Sequence, residues 1–176
     1  MRQVSEALQR LYAGDEQGAR ELLGPDHGLS VFEAAAFGRC ERLAEILQDD
    51  PSQATALSED GFTALHLAIF GGQEEAARAL LGQGADPNAL STNENVRVPP
   101  LGTAAFVRSV PLARLLLDSG ADVNGRGEGG FTALHSAAQN GDEELARLLL
   151  DQGADPRLAA EDGRRPADLG LRDLLS

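Results

Sequence analysis

The hexapeptide GFTALH occupies Gly61–His66 and returns unchanged at Gly130–His135, 69 residues later. Twenty-one residues after Thr63 begins Gly84-Ala85-Asp86-Pro87-Asn88, and 21 after Thr132 begins Gly153-Ala154-Asp155-Pro156. A third copy of this second motif, Gly120-Ala121-Asp122-Val123-Asn124, lies between them, and its anchor 21 residues upstream is Pro99. The anchors Thr63, Pro99 and Thr132 stand 36 and 33 residues apart, so the interval of 69 is two periods, one lengthened by three. Thirty-three residues before Thr63 is Ser30, at the head of SVFEAAAFGR, and 33 after Thr132 is Arg165, at the head of RPADLG. A period of this length, held over about 145 residues, restricts the chain to stacked, self-similar units.

Within a unit the residues predict two short helices. Thr63 can cap a helix from Ala64 to about Phe70 by accepting a bond from a free first-turn N–H. Gly71-Gly72 breaks it. A second helix, about Glu74 to Gly82, sets Ala76, Ala77, Leu80 and Leu81 on one face. Gly84 supplies a left-handed turn, and Asp86 to Asn88 begin a turn-rich finger leading to the next unit. Two such helices cannot bury their apolar faces within one unit, so each requires neighbours. The apolar residues are mostly Ala and Leu, strong helix formers, and aromatic residues make up only 4% of the chain.

These residues resemble the ankyrin repeat. Thr63-Ala64-Leu65-His66 and Thr132-Ala133-Leu134-His135 are similar to the family's Thr-Pro-Leu-His, with Ala in place of Pro, and the three Gly-Ala-Asp copies resemble its helix-to-finger turn. The likeness covers roughly residues 30 to 170. It implies an all-α ankyrin-repeat solenoid of stacked helix-turn-helix units with β-hairpin-like fingers and helical caps at both ends. It also implies a task, binding other proteins without catalysis. Thr63, His66, Thr132 and His135 would then be structural, the histidines bonding within and between units.

The expected organisation is a single domain, with an N-terminal helical cap at 1–29, repeats at 30–60, 61–96, 97–129 and 130–162, and a shortened cap at 163–176. A shift of 24 aligns Leu8, Gly14, Leu22 and Leu23 with Phe32, Gly38, Ile46 and Leu47, which predicts a helix pair in the first cap. Leu149 predicts a partner at position 182, beyond Ser176, so RPADLGLRDLLS reads as a closing unit, one continuous or kinked helix. The middle unit departs most. Pro99 and Gly102 replace Thr and His, Arg108 stands where its neighbours have Gly72 and Gly141, and the finger LSTNENVRV holds the three extra residues. Loss of the Thr cap costs on the order of 1 kcal/mol, which Pro99-Pro100 offsets in part by fixing φ at the helix start. The longer tip, Ser91–Asn95, is either a tolerated loop insertion or a finger that contacts the partner, through Asn93 and Asn95.

In the ankyrin family the usual binding surface is a concave groove, and the resemblance directs there the residue just before each anchor and the residue seven after it. The first set is Phe62, Val98 and Phe131; the second is Phe37, Phe70, Phe106 and Gln139. Five of the six Phe fall in these two columns, and Phe32 takes a core slot. Covering one such ring removes about 150–250 Å² from water, roughly 4–6 kcal/mol before the costs of association. The competing reading is that the rings pack between adjacent units and only stabilise the stack.

Chemistry beyond binding has little support. His27 has no Cys or second His nearby, Cys40 lacks a sequence-adjacent His, and no metal-ligand spacing or catalytic pair is present. Acidic pairs such as Asp49-Asp50, Glu74-Glu75 and Glu143-Glu144 suit a solvated face. Gly125–Gly130 lacks the Lys and Ser/Thr of a phosphate loop. No cofactor or metal is expected, and an enzyme such as a metal-dependent hydrolase is disfavoured. A net charge of −13, with every one of the 15 basic residues an Arg, opposes nucleic acid and anionic membranes and mildly favours a partner with a basic surface. One cysteine excludes an internal disulfide, no run of about 18 apolar residues occurs, and the N-terminus lacks the apolar stretch of a secretory signal. The expectation is a cytoplasmic, monomeric protein-interaction module. An inhibitor covering an enzyme and a structural spacer are the alternatives.

Overall fold

The Oγ1 of Thr63 accepts a bond from the His66 N–H at 3.3 Å, and the His66 Nδ1 accepts in return from the Thr63 N–H at 3.4 Å and from Oγ1 at 2.8 Å. This reciprocal cap satisfies donors that a helix start would leave open, and it is the local reason the motif nucleates a helix. In the computed structural model, which describes residues 5–175, the regular elements are helices joined by turns and fingers. α1 (Glu6–Tyr12) and α2 (Glu16–Glu21) form the expected first pair, residues 1–4 of that cap lying outside the described range. α3 (Val31–Ala36) and α4 (Cys40–Asp49) follow, then α5 (Ala64–Phe70) and α6 (Glu74–Gly82), α7 (Pro100–Phe106) and α8 (Val110–Asp118), and α9 (Ala133–Asn140) and α10 (Glu143–Asp151). In the closing segment the helix is broken rather than continuous: α11 (Pro166–Leu169) and α12 (Arg172–Leu175) are separated by Gly170 and by Leu171 in the left-handed region at φ 52°. A Cβ on Gly170 would run into the Ala138 carbonyl, which explains the glycine at that break.

The first helix of each pair is the buried one. On α5 every residue from Ala64 to Ile69 is buried, and α7 and α9 are nearly as enclosed. The second helices bury one stripe, such as Leu112, Ala113 and Leu116 on α8, and show charged residues outward. The chain groups into two compact units. The first runs to Asp86 and adds Thr92–Glu94; the second holds Pro87–Ser91 and resumes at Asn95.

The fingers are hairpin-like turns, and among the described residues the sole β pairing is the single bridge Leu57–Thr63. Three close over the same span: the N–H of Ser58, Gly127 and Ala160 donates to the carbonyl of Phe62, Phe131 and Arg164, each at 2.8 Å. The fourth joins Ser91 N–H to the Val98 carbonyl at 3.1 Å, three residues longer. The three extra residues therefore lie within the stretch between those two residues, 92–97. Ser91, expected at the tip, is a buried anchor whose Oγ accepts from Val98 N–H at 3.0 Å and donates to the Val96 carbonyl at 2.7 Å.

Within the second unit an amide ladder fixes the helix-to-finger turns. Asn88 donates to the Gly120 carbonyl (3.1 Å) and accepts from Asp122 N–H (2.7 Å). Asn124 does the same to Gly153 (3.3 Å) and Asp155 (2.9 Å). In the third copy the place is taken by Arg157, which turns to Asp155 instead.

Candidate functional site

The inter-helix turn sets the position of the candidate side chains. It needs a residue in the left-handed region, supplied by Gly14, Gly38, Gly72 and Gly141 at φ between 64° and 79°. Counted from that residue, Tyr12, Phe70, Phe106 and Gln139 all stand two places earlier, whereas Phe37 stands one place earlier. The reason is length: α3 has six residues and α5 and α7 have seven, so counting from the anchor overshoots in that unit alone. Phe37 is consequently buried, 3% exposed, in a cluster with Ala7, Leu8, Leu11 and Ala19. Its expected place on a partner-facing surface is corrected to a core position.

The same count brings in a residue that the anchor columns missed. Tyr12 of α1 lies 5.6 Å, edge to face, from Phe70 and 6.2 Å from Phe62, ring centroid to centroid. The signal was Ser5, which caps α1 with its side chain and stands seven residues before Tyr12, the spacing of Thr63 to Phe70. Burial, and then the Asp60 carboxylate, push the Tyr12 phenol well above its ordinary range, so it stays protonated. Phe62 also lies 5.9 Å from the His66 ring. These three aromatic side chains of the first unit are half-buried: they brace the first cap against α5 and still present an edge to solvent. Asn93 is also half-buried, its amide donating to the Asp60 carbonyl at 2.8 Å, while Thr92 N–H donates to the Gly61 carbonyl at 2.8 Å.

In the second unit, Phe131 is half-buried, 5.2 Å from the His135 ring, and the Arg164 guanidinium covers it at 5.5 Å. Val98 is half-buried against Gly102, where an added Cβ would fall 2.6 Å from Val98 Cγ2. An apolar plug thus stands where α5 and α9 have their polar Thr–His cap, with Pro100 starting the helix. Asn95 and Gln139 are exposed. Phe106 is the outlier, with 69% of its surface exposed, more than any other exposed large hydrophobic residue among those described.

Arg108, two residues beyond Phe106, takes the left-handed place at φ 58°. For an L-residue this costs about 1–2 kcal/mol. Its Nε lies 3.7 Å from Asp142 Oδ2, with the arginine side chain 59% exposed and the aspartate 12%; a contact this long, open to solvent on its arginine side, contributes on the order of 1 kcal/mol. Arg108→Gly removes the strain, and Arg108→Ala removes the pair while keeping the strain. Thermal denaturation is expected to place the glycine variant about 2–4 °C above the alanine variant.

The histidines are held as structural groups. His66 and His135 are 1% and 0% exposed. Among the described residues no group of three or more His, Cys, Asp and Glu could hold a metal. The Cys40 thiol lies 3.9 Å from Glu75 Oε2, and burial followed by that carboxylate pushes its pKa up, which leaves it a poor nucleophile. No helix among the described residues is long and apolar enough to cross a membrane.

Paired helices repeated in tandem, with reciprocal Thr–His caps, left-handed inter-helix turns and hairpin-like fingers, define an all-α repeat solenoid. The family description of a single ankyrin repeat matches residues 60–92, and that of ankyrin repeats in three copies matches 89–160. The chain belongs to the ankyrin repeat family, whose repeats are in general protein–protein interaction modules. It is similar to the B-cell lymphoma 3 protein homolog of Mus musculus, 34% identical over 128 residues, covering 70% of this chain and 28% of that protein. It is also similar to the tyrosine-protein kinase Shark of Drosophila melanogaster, 30% identical over 146 residues, covering 81% and 15% of the two chains. NF-kappa-B inhibitor alpha of Gallus gallus is 30% identical over 125 residues, covering 66% and 39%. The chain thus spans well under half the length of these relatives.

Proposed function

We propose that this chain is a non-catalytic, cytoplasmic, monomeric module that binds a partner protein through aromatic side chains at the ends of its first helices and through its fingers. The observation that carries this reading is Phe106. Burying a phenylalanine stabilises a fold, so one left 69% exposed in a chain with only six gains that energy when a partner covers it. On the first unit the half-buried rings of Tyr12, Phe62 and Phe70 supply further aromatic surface. The net charge of −13 favours a partner whose overall charge is positive, through faster encounter.

Phe106→Ala is expected to leave the melting temperature within about 2 °C, as for a surface change, and to cut recovery of captured partners from a cell extract by about tenfold or more. Unchanged recovery would remove Phe106 from the site, and a large fall in melting temperature would return the ring to the core. A second reading, an inhibitor that covers its partner, is favoured by the likeness to NF-kappa-B inhibitor alpha. Adding the wild-type chain to the captured partner and assaying that partner's own activity separates inhibitor from adaptor.

A further inference from the structure

Nothing in the packing of the α7–α8 turn asks for an arginine. At three of the four equivalent places, Gly14, Gly72 and Gly141, an added Cβ would meet nothing within 4 Å, and at Gly38 it would meet only the Gln73 side chain, so φ is what these glycines share. Arg108 accepts the unfavourable backbone conformation without filling space. Its gain within the fold is also small. Among the described residues its one ion pair is the long contact from Nε to Asp142 Oδ2, while the other oxygen, Oδ1, caps α10 by accepting from Leu145 N–H at 3.1 Å, a cap that does not need the arginine. A side chain that the fold neither needs nor rewards, in a strained backbone position, marks a site where local rules yield to use. Two residues away, at the end of the same helix, stands Phe106, the exposed ring.

We infer that Phe106 and Arg108 form a two-point docking site for a partner-protein segment that presents an apolar side chain within two residues of a carboxylate. The inference rests on the proposed binding role and specifies its chemistry. Phe106 supplies an apolar face without charge. Arg108 supplies a planar fork of donors that fits a carboxylate better than a lysine would. The rest of the molecule sharpens the choice. In a chain of net charge −13 an acidic segment is repelled at long range, so a carboxylate is held only where a cation meets it directly, within a screening length of about 8 Å. Glu143 and Glu144 begin α10 beside Asp142 and would instead recruit a lysine, which is the opposing outcome.

The test uses the full chain and an array of short Ser/Gly peptides carrying Phe or Leu followed within two residues by Glu, Gln, Lys or phosphoserine. Wild type is expected to be retained about fivefold more by the Glu peptides than by their Gln or Lys counterparts. Arg108→Gly should erase the Glu-over-Gln difference with no loss of thermal stability, Arg108→Lys should keep part of it, and Phe106→Ala should lose retention by every Phe or Leu peptide. Equal retention of Glu and Gln by wild type, preference for Lys, retention of phosphoserine alone, a Glu preference that survives Arg108→Gly, or no retention at all would overturn the inference. If retention depends on Phe106 without preferring Glu, the broader binding role stands and only its carboxylate chemistry fails. Retention that ignores Phe106 undermines both.

Discussion

Replacing His135 with alanine is expected to lower the free energy of unfolding by about 3 kcal/mol, and His135→Gln to recover part of that loss. The ring is fully buried and makes three polar contacts. Its Nε2 lies 3.2 Å from the Arg164 carbonyl, and because a carbonyl only accepts, Nε2 carries the proton. The bare Nδ1 then accepts from Thr132 N–H at 3.1 Å and Oγ1 at 2.9 Å. Alanine leaves a cavity and an unpaired, buried Thr132 N–H, together worth about 2–5 kcal/mol. Glutamine can restore the cap to Thr132 but not the reach to Arg164. Urea unfolding of the three proteins measures the order, and equal stability of the alanine variant and wild type would refute it.

The same residue gives stability a pH dependence. Burial, the largest cause, lowers the His135 pKa, and the Arg126 charge adds to it against the opposing bond to the Arg164 carbonyl. The unfolded chain therefore takes up a proton first, at its ordinary value of about 6.5. Above that pH both states are neutral and the contribution is complete. Below it stability falls, by at most about 1.4 kcal/mol per pH unit, until the pH passes the lowered folded value. His135→Gln should lessen the fall in melting temperature as the pH drops below about 6.5, the unfolded value; a profile parallel to wild type would assign the loss to other groups.

Gly71→Ala is expected to cost about 2–3 kcal/mol, more than Gly72→Ala beside it. Backbone preference alone gives the reverse order, since Gly72 is left-handed at φ 70° and Gly71 sits at an ordinary φ of −78°. Contact decides otherwise. A Cβ on Gly71 would overlap the Ala36 carbonyl, whereas one on Gly72 meets open space. Overpacking against rigid backbone costs about 1–3 kcal/mol, and left-handed strain alone about 1–2. The corresponding place against α7 holds Asn140, where there is room for a side chain that donates to the Ala105 carbonyl at 3.4 Å. A Gly72 variant less stable than the Gly71 variant would show that the α3–α5 contact can relax.

The bounds of α5 and α6 agree with the sequence because cap and breaker residues flank them: Thr63 before, Gly71-Gly72 between, Gly84 after. The candidate site was less legible. Phe37 and Phe70 share a spacing from their anchors, and only the glycine ahead of each reveals that α3 is one residue shorter. Tyr12 was hidden because the glycine alignment of the first cap bypasses Ser5. The insertion was placed three residues long, but Ser91 was put at the tip because its two bonds to Val96 and Val98 join residues five and seven apart. The exposure of Phe106 depends on packing between helices, which no periodicity encodes.

The amide ladder has a direction. Asn88 and Asn124 each hold the turn of the unit that follows them, so in a chain made from its N-terminus the receiver is synthesised before the turn it receives. Arg157 interrupts this handover, because a guanidinium donates but has no acceptor for an incoming N–H. Grafting a further repeat after residue 162 therefore calls for Arg157→Asn first; without it, the graft would join the array with no template for its turn.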